Sequence, residues 1–253
     1  MRRVLAIGGS DSGGGAGIQA DVKTLHGLGV HVSTVLTAVT AQDSSAVHAL
    51  HELPAEVVAA QLAAVLGDIG ADVVKTGMLA SAGAVQAVVE AVAGLPLVVD
   101  PVGVSTSGQS LLSPDALVLL RSALIPMATV VTPNLPEILA LTGLVVRDAH
   151  DLLAGAQAVH ALGAQWVLVT GGHLPGAPVD LLYDGSEAIE LVGERVDSPH
   201  THGTGCTLAS ALAGYLALGH DVPHAAALAK EYVTAAIRNG YALGRGPGPV
   251  RQA

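Results

Sequence analysis

Short apolar runs alternate along the chain with segments whose apolar residues recur at helical spacing. Six runs rich in valine, leucine and isoleucine end in polar or glycine residues: RRVLAIGGSD, HVSTVLTAVTAQD, ADVVKTGM, LPLVVDPV, ATVVTPNLPE and AQWVLVTGGH. Continuous runs of β-branched residues are typical of parallel strands buried on both faces. Between and after them, apolar spacing predicts helices at 15–28, 54–67, 83–93, 114–124, 148–162, about 205–218 and about 223–240.

The order of these elements predicts an α/β fold, a mostly parallel central sheet with helices on both faces. The stretch VDLLYDGSEAIELVGERV differs, because Asp184 and Gly185 separate two alternating runs. An Asp-Gly pair in that position predicts a hairpin, which we place at an edge of the sheet. The chain has no repeats and no linker-like segment, so its 253 residues are expected to form one domain, 1–253.

Composition narrows the classes of function. Hydrophobic residues make up 51% of the chain, yet the apolar runs break before the roughly 18 residues that a membrane span needs. MRRVLAIGGSD is also too short in its apolar part for a signal peptide, so we expect a cytoplasmic protein. The formal net charge of -10 disfavours a nucleic-acid or anionic-membrane surface and favours a small-molecule partner.

Cysteine and histidine patterns do not indicate a structural metal. Cys206 is the single cysteine, so no internal disulfide is possible, and no Cys/His spacing typical of zinc occurs. His200 and His202 lie close together in HTHGTGC. We interpret them as turn residues rather than as ligands.

Ligands of open α/β sheets bind outside the carboxyl ends of the strands, so the polar motifs that end the runs are expected to meet in one cleft. The first loop, GGSDSGGGAGIQAD, formally fits a dinucleotide fingerprint at Gly15, Gly17 and Ala20, with Asp43 as a candidate ribose ligand. The match is weak because glycine-rich turns are common. No P-loop motif occurs.

The turn Gly203-Thr204-Gly205-Cys206 opens an apolar helical segment. Glycines let backbone amides approach a ligand, and the first amides of a helix have no internal acceptor, so the turn suits an anion such as a phosphoryl group in transfer. The alternative is a tight turn with Thr204 as a helix cap. The turn alone does not decide between them.

The ordered set HTHGTGC, GSDSGGGAGIQAD, TAVTAQD, KTGML, VVDPV, TPNLPE and TGGH resembles the hydroxymethylpyrimidine and phosphomethylpyrimidine kinases of thiamine synthesis, in the ribokinase superfamily. The resemblance covers nearly the whole chain. It implies a ribokinase-like three-layer sandwich, ATP-dependent phosphorylation of hydroxymethylpyrimidine and its monophosphate, ATP and Mg²⁺ as cofactors, and a homodimer. Pyridoxal kinase of the same fold is the alternative, and a non-catalytic pyrimidine-binding protein is a second one.

The resemblance implies catalytic roles for Gly203, Thr204, Gly205 and Cys206, the last standing where many relatives have a catalytic aspartate. A thiol at a helix N-terminus is expected to have a lowered pKa and to accept the proton of a substrate hydroxyl. The alternative is a small buried residue without chemistry.

Asn134 and Glu137 resemble the NxxE motif through which this superfamily organises Mg²⁺ and nucleotide phosphates. One carboxylate suffices for Mg²⁺, because the ion keeps several waters. The same pair also fits a helix capping box, and both roles are compatible. Asp100 is charged at the close of an apolar run, so we expect it to contribute to the metal or to the electrostatics of the site, with a cap or a salt bridge as the alternative. By resemblance, Thr170 faces the ATP phosphates, with an ordinary strand end as the alternative.

For the acceptor, the resemblance implies contacts from Asp21, Gln42, Met78 and Val102. A glutamine amide matches an aminopyrimidine edge with two hydrogen bonds, and Gln42 separates this reading from pyridoxal kinase, where a bacterial relative has an apolar residue. Without the resemblance, Asp21 is read as an exposed helical acid and Met78 as core. The chain has DPVGVSTSG where relatives often have DPVMVAKSG, which places Gly103 and Thr106 outside the family pattern.

Overall fold

The computed structural model describes residues 1–103, 111–172 and 174–253, so Thr106 and His173 lie outside the described residues. Within them, nine strands form one sheet in the order β3-β2-β1-β4-β5-β6-β7-β8-β9. The strands are β1 Arg3–Asp11, β2 His31–Gln42, β3 Val47–Glu52, β4 Val73–Thr76, β5 Leu97–Val99, β6 Val130–Val131, β7 Trp166–Val169, β8 Val179–Tyr183 and β9 Ala188–Val192.

Six strands, β1, β2, β4, β5, β6 and β7, are parallel to one another, as the apolar runs predict. Their side chains are mostly buried, and every residue of β4 is. This burial explains the β-branched composition, because a parallel sheet covered on both faces has no solvent-facing side. The predicted mostly parallel α/β fold is confirmed.

The predicted hairpin at Asp184 and Gly185 is also confirmed. Strands β8 and β9 pair antiparallel at one end of the sheet, with β9 at its edge. Asp184 Oδ1 accepts hydrogen bonds from the amides of Ser186 (2.8 Å) and Glu187 (2.7 Å), which fixes the turn.

Strand β3 is an element that the sequence interpretation missed. It pairs antiparallel with β2 after a tight turn in which Asp43 Oδ1 accepts from the amides of Ser45 (2.7 Å) and Ala46 (3.1 Å). Asp43 is thus a turn residue, and the ribose role considered for it finds no support here. The strand is short and mostly exposed, so it lacks the apolar run that marks the others.

The helices are α1 Gly17–Gly27, α2 Ala55–Asp68, α3 Ala82–Ala91, α4 Pro114–Leu119, α5 Leu135–Thr142, α6 Leu152–His160, α7 Thr204–Leu218 and α8 Val222–Arg238. Helices α1, α7 and α8 pack on one face of the sheet, and α2 to α6 on the other. Two hydrophobic cores result, one on each face, in agreement with the predicted three layers.

Three helix predictions need correction. The helix predicted at 114–124 is regular only to Leu119 and continues as a π turn, Leu120–Leu124, and a 3₁₀ turn, Ile125–Met127. The helix predicted at 148–162 begins with a 3₁₀ turn, Ala149–Asp151. For α5, the sequence indicated only a possible helix start at Asn134, and the structure has a helix over Leu135–Thr142. Among the described residues, none of the helices combines the length and apolar character needed to cross a membrane.

Candidate active site

The turn before α7 is built around Gly203. Its backbone is left-handed (φ +85°), and a Cβ there would collide with the carbonyl oxygen of Gly15 in the first glycine loop. Only glycine therefore allows the two loops to meet. Thr204 Oγ1 donates to the carbonyl of Thr201 (2.6 Å), so its hydroxyl fixes the turn instead of capping the amides.

The amides of Gly205 and Cys206 open α7 and have no intrahelical acceptor. Gly205 is exposed, and no protein atom lies within 4 Å of the position that a Cβ would take. The turn thus presents backbone donors and the positive end of a 15-residue helix to open space, which is the arrangement that binds an anion.

Cys206 does not have the lowered pKa predicted from its place at a helix N-terminus. Burial raises the pKa of its thiol to about 12; nearby Lys75 lowers it, but the charges of Asp100 and Asp21 raise it further. The residue as a whole keeps some exposure to solvent, whereas its thiol is buried among these charges. The prediction failed because it counted the helix dipole and not the surrounding carboxylates.

Lys75 is the main site residue that the sequence interpretation missed. It is fully buried at the end of β4, and its Nζ donates to Asp21 Oδ1 (2.8 Å). Asp21 Oδ1 also accepts from Ser210 Oγ (2.6 Å) on α7. A lysine inside an apolar strand run was the available signal, because lysine is almost never fully buried unless it is paired.

Asp21 is therefore a buried, paired acid and not the exposed helical acid that its position in the sequence suggested. It is 1% exposed, and Asp21 Oδ2 accepts no hydrogen bond from the described residues. One carboxylate oxygen thus remains for a further donor.

Two more buried carboxylates, Asp100 and Glu137, lie near each other after β5 and at α5. Burial raises the pKa of Asp100 to about 6, with Lys75 opposing the rise and Asp21 adding to it. Burial raises the pKa of Glu137 well above its usual value, and the charge of Asp100 adds to the rise, while hydrogen bonds from Asn134 and the Gly103 amide lower it. Gly103, one of the departures from the family pattern, is thus tied to Glu137.

These carboxylates suit a cation. Asp100 Oδ2 is buried without a hydrogen-bond partner among the described residues, and a buried carboxylate in that state is stabilised by a proton or a metal ion. No three His, Cys, Asp or Glu side chains of the described chain lie close enough to enclose a metal. Mg²⁺ does not need such a cage, because it binds one or two carboxylates together with water and substrate phosphates.

Asn134 and Glu137 form the capping box considered as an alternative. Glu137 Oε2 accepts from the Asn134 amide and Asn134 Oδ1 accepts from the Glu137 amide, both at 2.9 Å. Asn134 is also bridged to Thr170 across the ends of β6 and β7. The two predicted ATP-binding residues are therefore brought together.

The loop after Thr170 is held by a buried ion pair that the sequence did not reveal. Asp180 on β8 accepts from the Gly171 amide (3.0 Å) and from Lys230 Nζ on α8 (2.7 Å). Burial raises the pKa of Asp180, and Lys230 opposes the rise. A Cβ at Gly171 would collide with the carbonyl of Val179, so the loop lies directly against β8.

The apolar acceptor residues also meet. Met78 packs with Ala38 and Ala80 in a small cluster against which Val102 lies. Thr37 Oγ1 donates to the Met78 carbonyl (2.6 Å), which fixes the backbone after β4. The cluster provides an apolar wall at the carboxyl ends of β2 and β4.

The first glycine loop is occupied by the protein's own carboxylate. Asp11 Oδ1 accepts from the Gly13 amide (2.8 Å), and Oδ2 accepts from the amides of Gly15 (3.0 Å) and Ala16 (2.8 Å). These are the donors that a dinucleotide pyrophosphate would need. The dinucleotide reading of this loop is therefore wrong.

The two histidines of HTHGTGC act as turn residues, as expected. His200 Nδ1 accepts from the Gly248 amide (3.2 Å), and His202 Nε2 lies 3.1 Å from Asp11 Oδ2. Gln42 Nε2 lies 3.4 Å from the same His202 nitrogen. Gln42, at the end of β2, is thereby placed beside the loop that precedes α7.

The predicted site residues outside the turn before α7 lie at or after the carboxyl ends of the parallel strands, or on the helices that follow those strands. The turn itself follows the antiparallel strand β9 and joins them through the contact of Gly203 with Gly15, in the loop after β1. A separate cavity of about 520 Å³ lies at the opposite edge of the sheet, where its lining includes Asp72, Trp166 and His220. None of the predicted chemistry is there, so we place the site at the carboxyl edge.

Comparisons with known proteins identify the family of the chain. The family model described as phosphomethylpyrimidine kinase matches residues 11–251. A hydroxymethylpyrimidine/phosphomethylpyrimidine kinase of Streptomyces coelicolor is 57% identical over 249 residues, which is 98% of this chain and 93% of that protein.

Two solved structures extend the likeness to the fold. The ADP complex of Bacillus subtilis pyridoxal kinase is 40% identical, has a TM-score of 0.94, and covers 100% of this chain and 97% of its own. The phosphomethylpyrimidine kinase of Clostridium difficile is 39% identical, has a TM-score of 0.81, and covers 92% of this chain and 98% of its own.

Proposed function

Since the chain belongs to the phosphomethylpyrimidine kinase family, we propose that the residues gathered at the carboxyl edge of the sheet carry out its two phosphoryl transfers. The chain is an ATP-dependent phosphotransferase that acts on hydroxymethylpyrimidine and on its monophosphate in thiamine synthesis. The observation that carries the assignment of the site is the open turn before α7, beside three buried charged side chains, Lys75, Asp21 and Asp100.

In the first transfer, the hydroxymethyl oxygen of 4-amino-5-hydroxymethyl-2-methylpyrimidine forms a bond to the γ-phosphorus of ATP, and the bond from that phosphorus to the bridging oxygen breaks. ADP leaves, and the hydroxyl proton passes to a base or to water. In the second transfer, a phosphate oxygen of the monophosphate bonds to the γ-phosphorus of a second ATP, the bond from that phosphorus to its bridging oxygen breaks, and ADP leaves as the pyrophosphate forms. Such transfers depend mainly on positioning and on stabilisation of charge.

The amides of Gly205 and Cys206 are placed to stabilise negative charge on the phosphoryl group in transfer. Gly203 and Thr204 shape the turn. Cys206 is the proposed base, but its raised pKa leaves the thiolate a minor species at neutral pH. The proton therefore leaves late, which a loose transition state permits.

Asn134 and Thr170 are proposed to contact the ATP phosphates, and Asp100 and Glu137 to hold Mg²⁺, chiefly through water. When bound, Mg²⁺ neutralises charge on the phosphates. The capping box keeps the Glu137 carboxylate in place, and the Asp180–Lys230 pair holds the loop after Thr170.

Asp21, Gln42, Met78 and Val102 are proposed to bind the pyrimidine. Asp21 offers its second carboxylate oxygen to the substrate hydroxyl. Met78 and Val102 cover one face of the ring, and Gln42 reads the amino group and the adjacent ring nitrogen.

Pyridoxal phosphorylation is the second candidate, favoured by the fold match to a pyridoxal kinase at a TM-score of 0.94. The presence of Gln42 argues against pyridoxal phosphorylation as the main activity. Pyridoxal has no amino group at the position that an amide would read, so it leaves the glutamine partly unpaired.

We also propose that residues 1–253 fold as one unit, because all nine strands share one sheet. A homodimer is proposed through the β2–β3 edge, where Val39 is 42% exposed. We place the reaction in the cytoplasm, where a free thiol such as Cys206 stays reduced.

The test compares ATP consumption with hydroxymethylpyrimidine, its monophosphate and pyridoxal, in the native protein and in Gln42→Met. The substitution leaves the substrate amine and ring nitrogen against an apolar wall, so kcat/KM for hydroxymethylpyrimidine should fall roughly 10²- to 10⁴-fold, with a much smaller loss or a gain for pyridoxal. Both acceptors use the same ATP site, so misfolding would depress both rates together. If the ratio of kcat/KM for hydroxymethylpyrimidine to that for pyridoxal stays unchanged, Gln42 does not contact the pyrimidine. Pyridoxal phosphorylation would then be as well supported as the main proposal.

A further inference from the structure

His202 connects two segments that are far apart in the sequence. Its Nε2 lies 3.1 Å from Asp11 Oδ2 and 3.4 Å from the side-chain nitrogen of Gln42. We name Asp11, His202 and Gln42 the substrate-edge cluster. Asp11 lies at the end of β1, Gln42 at the end of β2, and His202 directly before the turn of α7.

Asp11 decides the protonation of this histidine nitrogen. The Asp11 carboxylate is an acceptor only, and its Oδ2 already accepts from the amides of Gly15 and Ala16. Burial alone would raise the pKa of Asp11, but hydrogen bonds from His202 and from the amides of Ala16 and Gly13 hold it below its usual value. His202 Nε2 must therefore carry a hydrogen and donate it toward Asp11.

A protonated Nε2 cannot accept a hydrogen bond from the Gln42 amide group. The orientation with the Gln42 nitrogen toward His202 thus brings two donors together. The other end of the amide has a matching conflict: Thr40 Oγ1, with one hydrogen, would donate both to the Ser10 carbonyl (2.9 Å) and to Gln42 Oε1 (3.3 Å).

Turning the amide by 180° removes the contact between two donors and frees the Thr40 hydrogen for Ser10. The single hydrogen on His202 Nε2 is then shared between Asp11 Oδ2 at 3.1 Å and the Gln42 oxygen at 3.4 Å. Gln42 Oε1 then accepts from His202 Nε2–H, and the Gln42 nitrogen donates to Thr40 Oγ1, whose own hydrogen goes to Ser10. Which end of a glutamine amide is oxygen is assigned from its hydrogen-bond partners, and here the contact between two donors favours the turned amide.

We propose that His202 is a positioning residue that fixes the Gln42 amide and thereby sets the selectivity for an aminopyrimidine. The inference rests on the proposed role of Gln42. With His202 holding Oε1 and Thr40 holding the nitrogen, the amide presents one acceptor and one donor to the cleft. The substrate amine lies on the His202 side and the ring nitrogen on the Thr40 side.

The imidazole is itself held firmly. The His202 amide donates to the Gly248 carbonyl (3.2 Å), and the Val250 amide donates to the His202 carbonyl (3.0 Å). The ring packs against Gly15, where a Cβ would collide with His202 Cδ2. A histidine fixed by backbone bonds on both sides keeps the amide in one orientation.

The test measures kcat and KM for hydroxymethylpyrimidine and for its analogue without the amino group. His202→Leu removes the donor, His202→Gln keeps an N–H at a similar reach, and His200→Leu is the matched control in the same turn. We expect His202→Leu to lose roughly 10- to 100-fold in kcat/KM on the amino substrate, mainly through KM, and little on the analogue. His202→Gln and His200→Leu should retain the preference.

Equal losses on both substrates in His202→Leu, or equal losses in His202→Leu and His202→Gln, would overturn the proposal. Gln42→Met is measured in parallel, alone and combined with His202→Leu. The combined variant should show no further change in preference beyond Gln42→Met. If Gln42→Met shifts the preference and His202→Leu does not, only the role of His202 fails; if Gln42→Met shifts nothing, the role of Gln42 fails and that of His202 with it.

Discussion

Cys206 shows two electrostatic effects acting in opposite directions on one residue. The helix N-terminus and Lys75 favour the thiolate, whereas burial and the charges of Asp21 and Asp100 favour the thiol. Burial and the carboxylates have the larger effect, so the pKa of the thiol rises to about 12. Proton removal by Cys206 thus becomes easier as the pH rises.

Substitution of Cys206 tests this directly. If the thiolate accepts the proton, kcat should rise by about tenfold per pH unit between pH 7 and 9, because the pKa lies above this range. Cys206→Asp should flatten the profile, since its carboxylate is ionised at neutral pH, and Cys206→Ser should keep partial activity. A pH series of initial rates checks both. Full activity of Cys206→Ala across the series would exclude Cys206 as the base.

At the scale of elements, the start of α7 carries the phosphoryl site because its first amides face open space. No protein atom lies within 4 Å of the Cβ position at Gly205, and its φ is not in the left-handed region. A larger residue therefore fits the fold at this position. It would, however, enter the space in which the phosphoryl group is proposed to lie.

Gly205→Val should accordingly lower kcat by on the order of 10²- to 10³-fold while the melting temperature changes little. Gly205→Ala, with one methyl group, is expected to be intermediate. Single-turnover rates and thermal unfolding of the three proteins give the comparison. Native turnover in a folded Gly205→Val protein would show that these amides do not stabilise the transferred group.

The elements that sequence alone predicts are those whose pattern is local. Buried parallel strands consist of β-branched residues, so all six were found, whereas β3 is short and exposed and lacks that signature. The roles of the site residues came from the family resemblance. The pairing of Lys75 with Asp21 and the contact of His202 with Asp11 were missed because the partners are distant along the chain, 191 residues for His202 and Asp11. The pKa of Cys206 was wrong for the same reason.

At the scale of the whole molecule, the fold gathers buried carboxylates from separate elements at one edge of the sheet. Asp21, Asp100 and Glu137 come from α1, the end of β5 and α5, and Lys75 is the cation among them. Like charges placed together in a buried site destabilise the folded state when they are ionised. A cation bound at this edge of the sheet would offset that repulsion, so the stability of the folded state and cation binding are coupled.

The ionisation of Asp100 makes the stability of the folded state depend on pH in a direction that can be measured. Its pKa in the folded state, about 6, is above its ordinary value of 3.8, so the folded state binds more protons between these values and loses stability as the pH rises toward 6. Asp100→Asn should raise the free energy of unfolding by up to ~3 kcal/mol at pH 7 and by little at pH 4, at 1.36 kcal/mol per pKa unit.

Urea denaturation at pH 4, 5, 6 and 7 measures this difference, with Asp115→Asn, an exposed helix acid, as the control. Activity of Asp100→Asn should fall, because the cation site loses a charge. A stability gain equal at all four pH values would show that the ionisation of Asp100 is not its source.

Residues 248–252 close the first glycine loop from the far end of the chain. Gln252 Nε2 donates to the Gly15 carbonyl (2.9 Å), and Gly248 and Val250 bond to the backbone of His202. On the ribosome, β1 and its loop emerge before residues 248–252, and domains can begin to fold during translation. The glycine loop therefore lacks its last hydrogen-bond partners until residues 248–252 have left the exit tunnel. A nascent chain halted before them can form the sheet, but its glycine loop lacks the bonds from Gln252 and its turn before α7 lacks those from Gly248 and Val250.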